Sequence, residues 1–198
     1  MIADMTRFEA VVARFDAANA EDPNQEVFEE TAYPKELLYA RRMTAWLDRL
    51  EPDASEALRL AARSQHIRRW DIPRHTFPKT RTGYLRWRTT LYTHHADTAA
   101  DIMRQVGYDE PTTDRVRSLL RKTRLKQDAE VQCLEDVACL VFLESYFAAF
   151  AAQQDEEKII GIVQKTWKKM SPRGQQMALT LTLPPRARDL VEKALTTA

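Results

Sequence analysis

His66, His95 and Asp136 are the residues of this sequence whose types and placement could do chemistry together. Neutral imidazoles and a carboxylate can hold one divalent transition-metal ion, and water on such an ion can attack a phosphorylated substrate. Glu135, beside Asp136, is the alternative acid for that ion. Arg69, Arg88 and Lys122 are candidate phosphate ligands, because guanidinium forks and an ammonium group suit phosphate oxygens. The plainer reading of the same residues is two hydrogen-bonded structural histidines and an Asp136 paired with an arginine. No HExxH, CxxC or glycine-rich phosphate loop accompanies them.

Each candidate has an expected seat on a helix. The stretch from Leu134 to Phe150 is apolar on nearly every side, which predicts a buried central helix. Helical periodicity puts Asp136 on the face of Leu140, Leu143 and Phe147, so an inward carboxylate needs a partner there. His95 falls within the stripe Tyr84, Leu85, Trp87, Leu91, Ala99, Ile102 and Val106, which Gly107 closes. His66 is expected in the last turns of a helix capped by Asp53 or Ser55 and running to about Arg69. Asp97 lies about 200° around its helix from His95 and is better placed for His94.

The elements that must position these residues are also helical. Thr6 precedes a helical pattern of Phe8, Val11, Val12 and Phe15 that fades in a loop from Asn19 to Gln25. Pro34 starts a second helix that ends at Pro52, with Leu37, Leu38, Trp46, Leu47 and Leu50 facing the core. Asp109 or Thr112 starts another, with Val116, Leu119 and Leu120 buried, and it ends in the basic run Arg121 to Lys126. Asp155, Ser171-Pro172 and Pro184-Pro185 open three more. With only 4 glycines and few alternating apolar runs, the expectation is an all-α bundle of about eight helices and no strands. The 198 residues carry no Gly/Ser-rich linker, so 1–198 reads as one domain.

The formal net charge of +1 predicts no polyanion partner by itself, but the charge is segregated. From Arg63 to Arg88, eight basic residues face the single acid Asp71 and are interleaved with Trp70, Phe77, Tyr84 and Trp87. Arg115 to Lys126 and Lys165 to Arg173 are two further basic segments. Such surfaces suit a phosphorylated small molecule or nucleotide, with RNA as the larger candidate partner. Cys133 and Cys139 sit six residues and roughly 240° apart on one helix and read as core thiols. The longest apolar run, Val137 to Leu143, is too short to span a bilayer, and the start lacks an apolar leader segment, so no membrane and a cytoplasmic location are expected.

The segments QHIRRWDIPR from Gln65, GYLRWR from Gly83, LEDVACLVFLE from Leu134 and KTWKKMS from Lys165 resemble a bacterial and fungal family known only as a domain of unknown function. Some of its members carry a glutamyl-tRNA synthetase label, which no HIGH-like or KMSKS-like site supports in this chain. More distantly, the layout is similar to HD-domain phosphohydrolases. That resemblance implies an HD-like fold, a metal-dependent phosphohydrolase, and His66, His95 and Asp136 as metal ligands. Ala96 follows His95 where that pattern has an aspartate, so the likeness is incomplete and Glu135, a displaced acid or water would have to complete the metal site. The alternative is a helical protein that binds a nucleotide, RNA or an acidic partner without catalysis.

Overall fold

The computed structural model describes residues 5–196, and the caps written into the sequence set where most helices begin. Thr6 accepts the Glu9 N–H and Glu9 returns to the Thr6 N–H, a capping box that opens α1 (Arg7–Ala20). After it, beyond the loop expected from Asn19 to Gln25, come two short antiparallel strands, β1 (Gln25–Phe28) and β2 (Thr31–Pro34), where no strand was expected. Their turn is made by Glu29 and Glu30, both with positive φ (48° and 64°). Tight hairpin turns of this kind ordinarily signal themselves by Asn-Gly or Gly, which is why the pair is invisible to pattern reading.

Pro34 then precedes α2 (Lys35–Leu50), whose inward face carries Leu38, Met43, Trp46, Leu47 and Leu50. Ser55 caps α3 (Glu56–Ser64), Thr80 caps α4 (Arg81–Gln105) and Asp109 caps α5 (Glu110–Leu120). Gly107, at φ 88°, ends α4 in the left-handed region that glycine adopts without cost. Asp128 caps α6 (Ala129–Val141), and one π-helical turn, Phe142–Tyr146, joins it to α7 (Phe147–Ala151). In that turn the Phe147 N–H donates to the Phe142 carbonyl, five residues back. The chain closes with α8 (Glu156–Lys169), α9 (Pro172–Leu179) capped by Ser171, and α10 (Pro185–Thr196).

The all-α class is therefore right, with ten helices among the described residues against about eight expected. The central helix accounts for part of the excess, because the π turn divides it. α6 packs on α2, α3, α5 and α9, and its Leu134, Val137 and Leu140 are fully buried. Leu143 and Phe147 continue that buried face, while Glu144 and Ala149 are exposed. Burial on all sides thus stops near Leu143. Cys133 and Cys139 are free, and burial pushes both thiols up to about 12. No described helix is long and apolar enough to cross a membrane.

Candidate functional site

The site is built by the turn that follows α3. That helix stops at Ser64, short of the expected end near Arg69: the chain goes on in three-residue turns, Ile67 N–H to the Ser64 carbonyl and Arg69 N–H to the His66 carbonyl, and Arg68 then adopts the left-handed conformation (φ 51°), which a helix cannot continue. The conformation is costly for a non-glycine residue and is held from four sides. The Arg68 N–H donates to Asn19 Oδ1 (3.1 Å), and its guanidinium donates to Asp71 (2.9 Å) and Glu21 (2.7 Å). His94 Nε2 donates to its carbonyl (3.1 Å). His66 therefore sits in a pinned turn and not in a helical last turn.

His66 stacks flat on Tyr39 of α2, with ring centroids 4.0 Å apart and planes 10° from parallel. Its Nδ1 is 3.2 Å from Glu36 Oε2 and its Nε2 is 3.3 Å from an Arg69 guanidinium nitrogen. A guanidinium can only donate, so Nε2 accepts and Nδ1 carries the proton toward Glu36. His95, on α4, donates from Nδ1 to the Ile67 carbonyl (2.8 Å), and its buried Nε2 has no hydrogen-bond partner among the described residues. The two histidine rings lie 5.7 Å apart. Burial, then the positive charges of Arg69, Lys122, Arg88 and Lys35, hold His66 neutral well below the usual imidazole range. Burial and then the neighbouring His66 do the same to His95.

Glu36 occupies the first turn of α2, where its own N–H donates to Asp22 Oδ2 (3.0 Å). Burial outweighs the pull of Arg69, whose Nε is 3.8 Å from Oε1, and pushes the Glu36 carboxyl up to about 7. Glu36 and Arg69 form part of the wall of a cleft of about 440 Å³, together with Lys35, Trp70, Arg74, His75 and Trp87. The Arg69 guanidinium lies over the Trp87 ring at 4.8 Å, and Trp87 is fixed by donating from Nε1 to the Ile72 carbonyl (2.9 Å). Cationic side chains and two indole planes thus border one opening.

The three cations named from the sequence divide. Arg69 lines the cleft, whereas Arg88 and Lys122 do not and meet instead at Tyr92. Arg88 donates to the hydroxyls of Tyr84 (3.3 Å) and Tyr92 and pairs with no carboxylate among the described residues. Lys122, in a left-handed turn residue (φ 54°), pairs with Glu135, and Lys169 approaches the same carboxylate at 3.7 Å. Burial works against a Glu135 charge, but Lys122, Lys169 and Arg88 hold that carboxyl below its usual range.

Asp136 does not join the histidines through any hydrogen bond. Its Oδ1 accepts the Ser171 N–H (2.8 Å) and Gln132 Nε2 (2.9 Å), and its Oδ2 accepts the Ser171 hydroxyl (2.5 Å). The partner of this inward carboxylate is the start of α9, not an arginine. With Asp136 and Glu135 engaged in this way, no group of three or more His, Cys, Asp or Glu able to hold a metal ion occurs among the described residues. The donor set of His66, His95 and an acid is therefore incomplete for the ion that the HD-domain likeness implies. Asp97 likewise does not pair with His94: it accepts from Arg117 (2.9 Å) and Arg121 (2.8 Å), and His94 lies 3.7 Å from Asp71.

Sequence reasoning missed Glu36 and the cleft. An acid two residues after Pro34 reads as a helix N-terminal charge, and nothing in its spacing announces the burial that changes its behaviour. No match to the chain is found among curated proteins or among solved structures. One family model does match, over residues 9–191, and by it this all-helical chain belongs to the domain of unknown function DUF4202.

Proposed function

We propose that the protein binds a small phosphorylated ligand carrying a planar ring, a nucleotide being the matching class, in the cleft between Arg69, Trp70 and Trp87. The observation that carries this reading is Arg69 itself, held between His66 Nε2 at 3.3 Å and the Trp87 face at 4.8 Å. A guanidinium fixed on an indole is pre-organised to clamp an oxyanion, since little side-chain freedom remains to be lost on binding. Lys35 and Arg74 add positive charge on the same wall, and the indoles offer stacking surface to a ring. The volume of about 440 Å³ suits a small molecule better than a polymer. Recognition of this kind needs no metal, so it draws no support from the incomplete His66, His95 and Asp136 set and loses none.

Tryptophan fluorescence during titration with adenosine monophosphate and with inorganic phosphate tests the proposal. The expected result is a saturable change that weakens with salt and is weakened at least about tenfold by Arg69→Ala, the loss of one charge-assisted contact. Absence of saturable binding, or an Arg69→Ala protein that binds as the wild type does, would overturn it.

A further inference from the structure

Resting on that reading of the cleft, we infer that Glu36 makes it a proton-coupled anion site: a dianion enters together with one proton, which the Glu36 carboxyl carries and donates to an oxygen of the anion. The geometry divides the two oxygens of this side chain. Oε2 is engaged by His66 Nδ1–H at 3.2 Å, while among the described residues Oε1 makes no hydrogen bond and has Arg69 Nε at 3.8 Å as its one cation within ion-pair reach. Oε1 is thus the oxygen free to hold a proton, on a side chain that borders the cleft.

A phosphate group clamped by Arg69 and Lys35 would meet Glu36 at close range. As a carboxylate, Glu36 would repel it; as a carboxylic acid, it gives the anion a hydrogen-bond donor. Every charged or titratable neighbour of Glu36 bears on which form wins. Asp22, in the loop after α1, and the entering anion both favour protonation; Arg69, and Lys35 on its own helix, oppose it. Tyr39 lies behind and is held neutral chiefly by burial. His66 cannot take the proton instead, because Arg69 donates to its Nε2 and His95 sits 5.7 Å behind it. Arg74 and His75 line the same cleft and are the remaining groups that face the ligand. Near neutral pH the Glu36 proton is close to balance before any ligand arrives, since burial already brings the group up to about 7.

Sulfate is the probe of choice, because it stays a dianion across the whole working range and any proton taken up must go to the protein. Calorimetric titration at about pH 8, where little of the proton is held before binding, in two buffers of different ionisation enthalpy, should show uptake approaching about one proton per sulfate bound. Affinity should fall by up to about tenfold per pH unit above neutrality, the limit for a single linked proton. Glu36→Gln, which keeps the size and an acceptor for His66, should retain sulfate binding and lose both the uptake and the pH dependence. His75→Ala should leave the uptake in place. Sulfate binding without proton uptake, or uptake that survives in Glu36→Gln, would sink this inference and leave the cleft reading standing. No sulfate binding even at about pH 6 would sink this inference alone, since the titration with adenosine monophosphate decides the cleft reading separately.

Discussion

Asp136 and Glu36 are both buried carboxylates carried on helices, and the fold treats them in opposite ways. Asp136 accepts three hydrogen bonds, from one amide, one hydroxyl and one backbone N–H, and ties α6 to the start of α9. Among the described residues Glu36 accepts one, from a neutral imidazole, and its nearest cation stands 3.8 Å away. A buried carboxylate with both oxygens engaged is a structural rivet, because any change at it leaves several donors stranded. A buried acid with one oxygen idle stores a choice between two protonation states, which costs stability and leaves chemistry available.

The largest effect expected from this contrast is Asp136→Ala. It strands the Ser171 N–H and hydroxyl inside the protein and should lower stability by about 3 kcal/mol, measured by urea denaturation. A loss under about 1 kcal/mol would mean that the rivet carries no load. Glu36→Gln should behave in the reverse sense. The folded carboxyl is raised from 4.5 to about 7, so over that window the native state holds a proton that the unfolded chain has released. Stability from this group is therefore lost as pH rises from about 5 to 7. Relative to wild type, Glu36→Gln should gain stability over that window, by up to about 3 kcal/mol for the shift stated. A difference between the two proteins that does not change with pH would place Glu36 with Asp136 after all.

Gly174→Ala probes the rivet from its other side. A Cβ there would stand 2.7 Å from Asp136 Cγ, so α9 must move back or the carboxylate must turn. About 2 kcal/mol of lost stability is the expected cost of such overpacking, again by denaturant unfolding, and an unchanged midpoint would show that α9 can move freely. The smallest effect belongs to the cleft wall. Trp87→Phe removes the hydrogen bond to the Ile72 carbonyl and part of the surface under Arg69, for about 1 kcal/mol of stability. A fall in phosphate affinity larger than that loss would indicate that Trp87 acts by holding Arg69 in place.

Much of the scaffold was legible because caps act locally. Ser55, Asp109 and Ser171 start helices where expected, since a side-chain oxygen three residues before an N–H reports its own partner. The inward direction of Asp136 was legible for the same kind of reason, through periodicity. Its partner was not, because Ser171 lies 35 residues away and nothing in helical spacing names a long-range donor. His66 was placed in a helix because no residue type marks the left-handed Arg68, whose conformation depends on Asn19, Asp71, Glu21 and His94 acting together. Arg69, Arg88 and Lys122 were grouped by charge and by the expected convergence of the helix end, the long helix and the basic turn on one concave surface. Charge periodicity cannot tell that Arg69 turns to Trp87 while Arg88 and Lys122 turn to Tyr92.

The π turn at Phe142–Tyr146 means that the central helix carries one residue more than an α-helix of the same path would need. Phe147 remains fully buried beyond it, and Tyr146 still reaches Arg42 at 2.8 Å. Removing a residue anywhere within α6 would rotate everything downstream by about 100° and swing Phe147 out of the core. Removing one from the turn itself would let the hydrogen bonds close to the ordinary four-residue spacing with both flanks left in phase. Along this helix it is therefore the place where the chain can change length without changing which faces look inward.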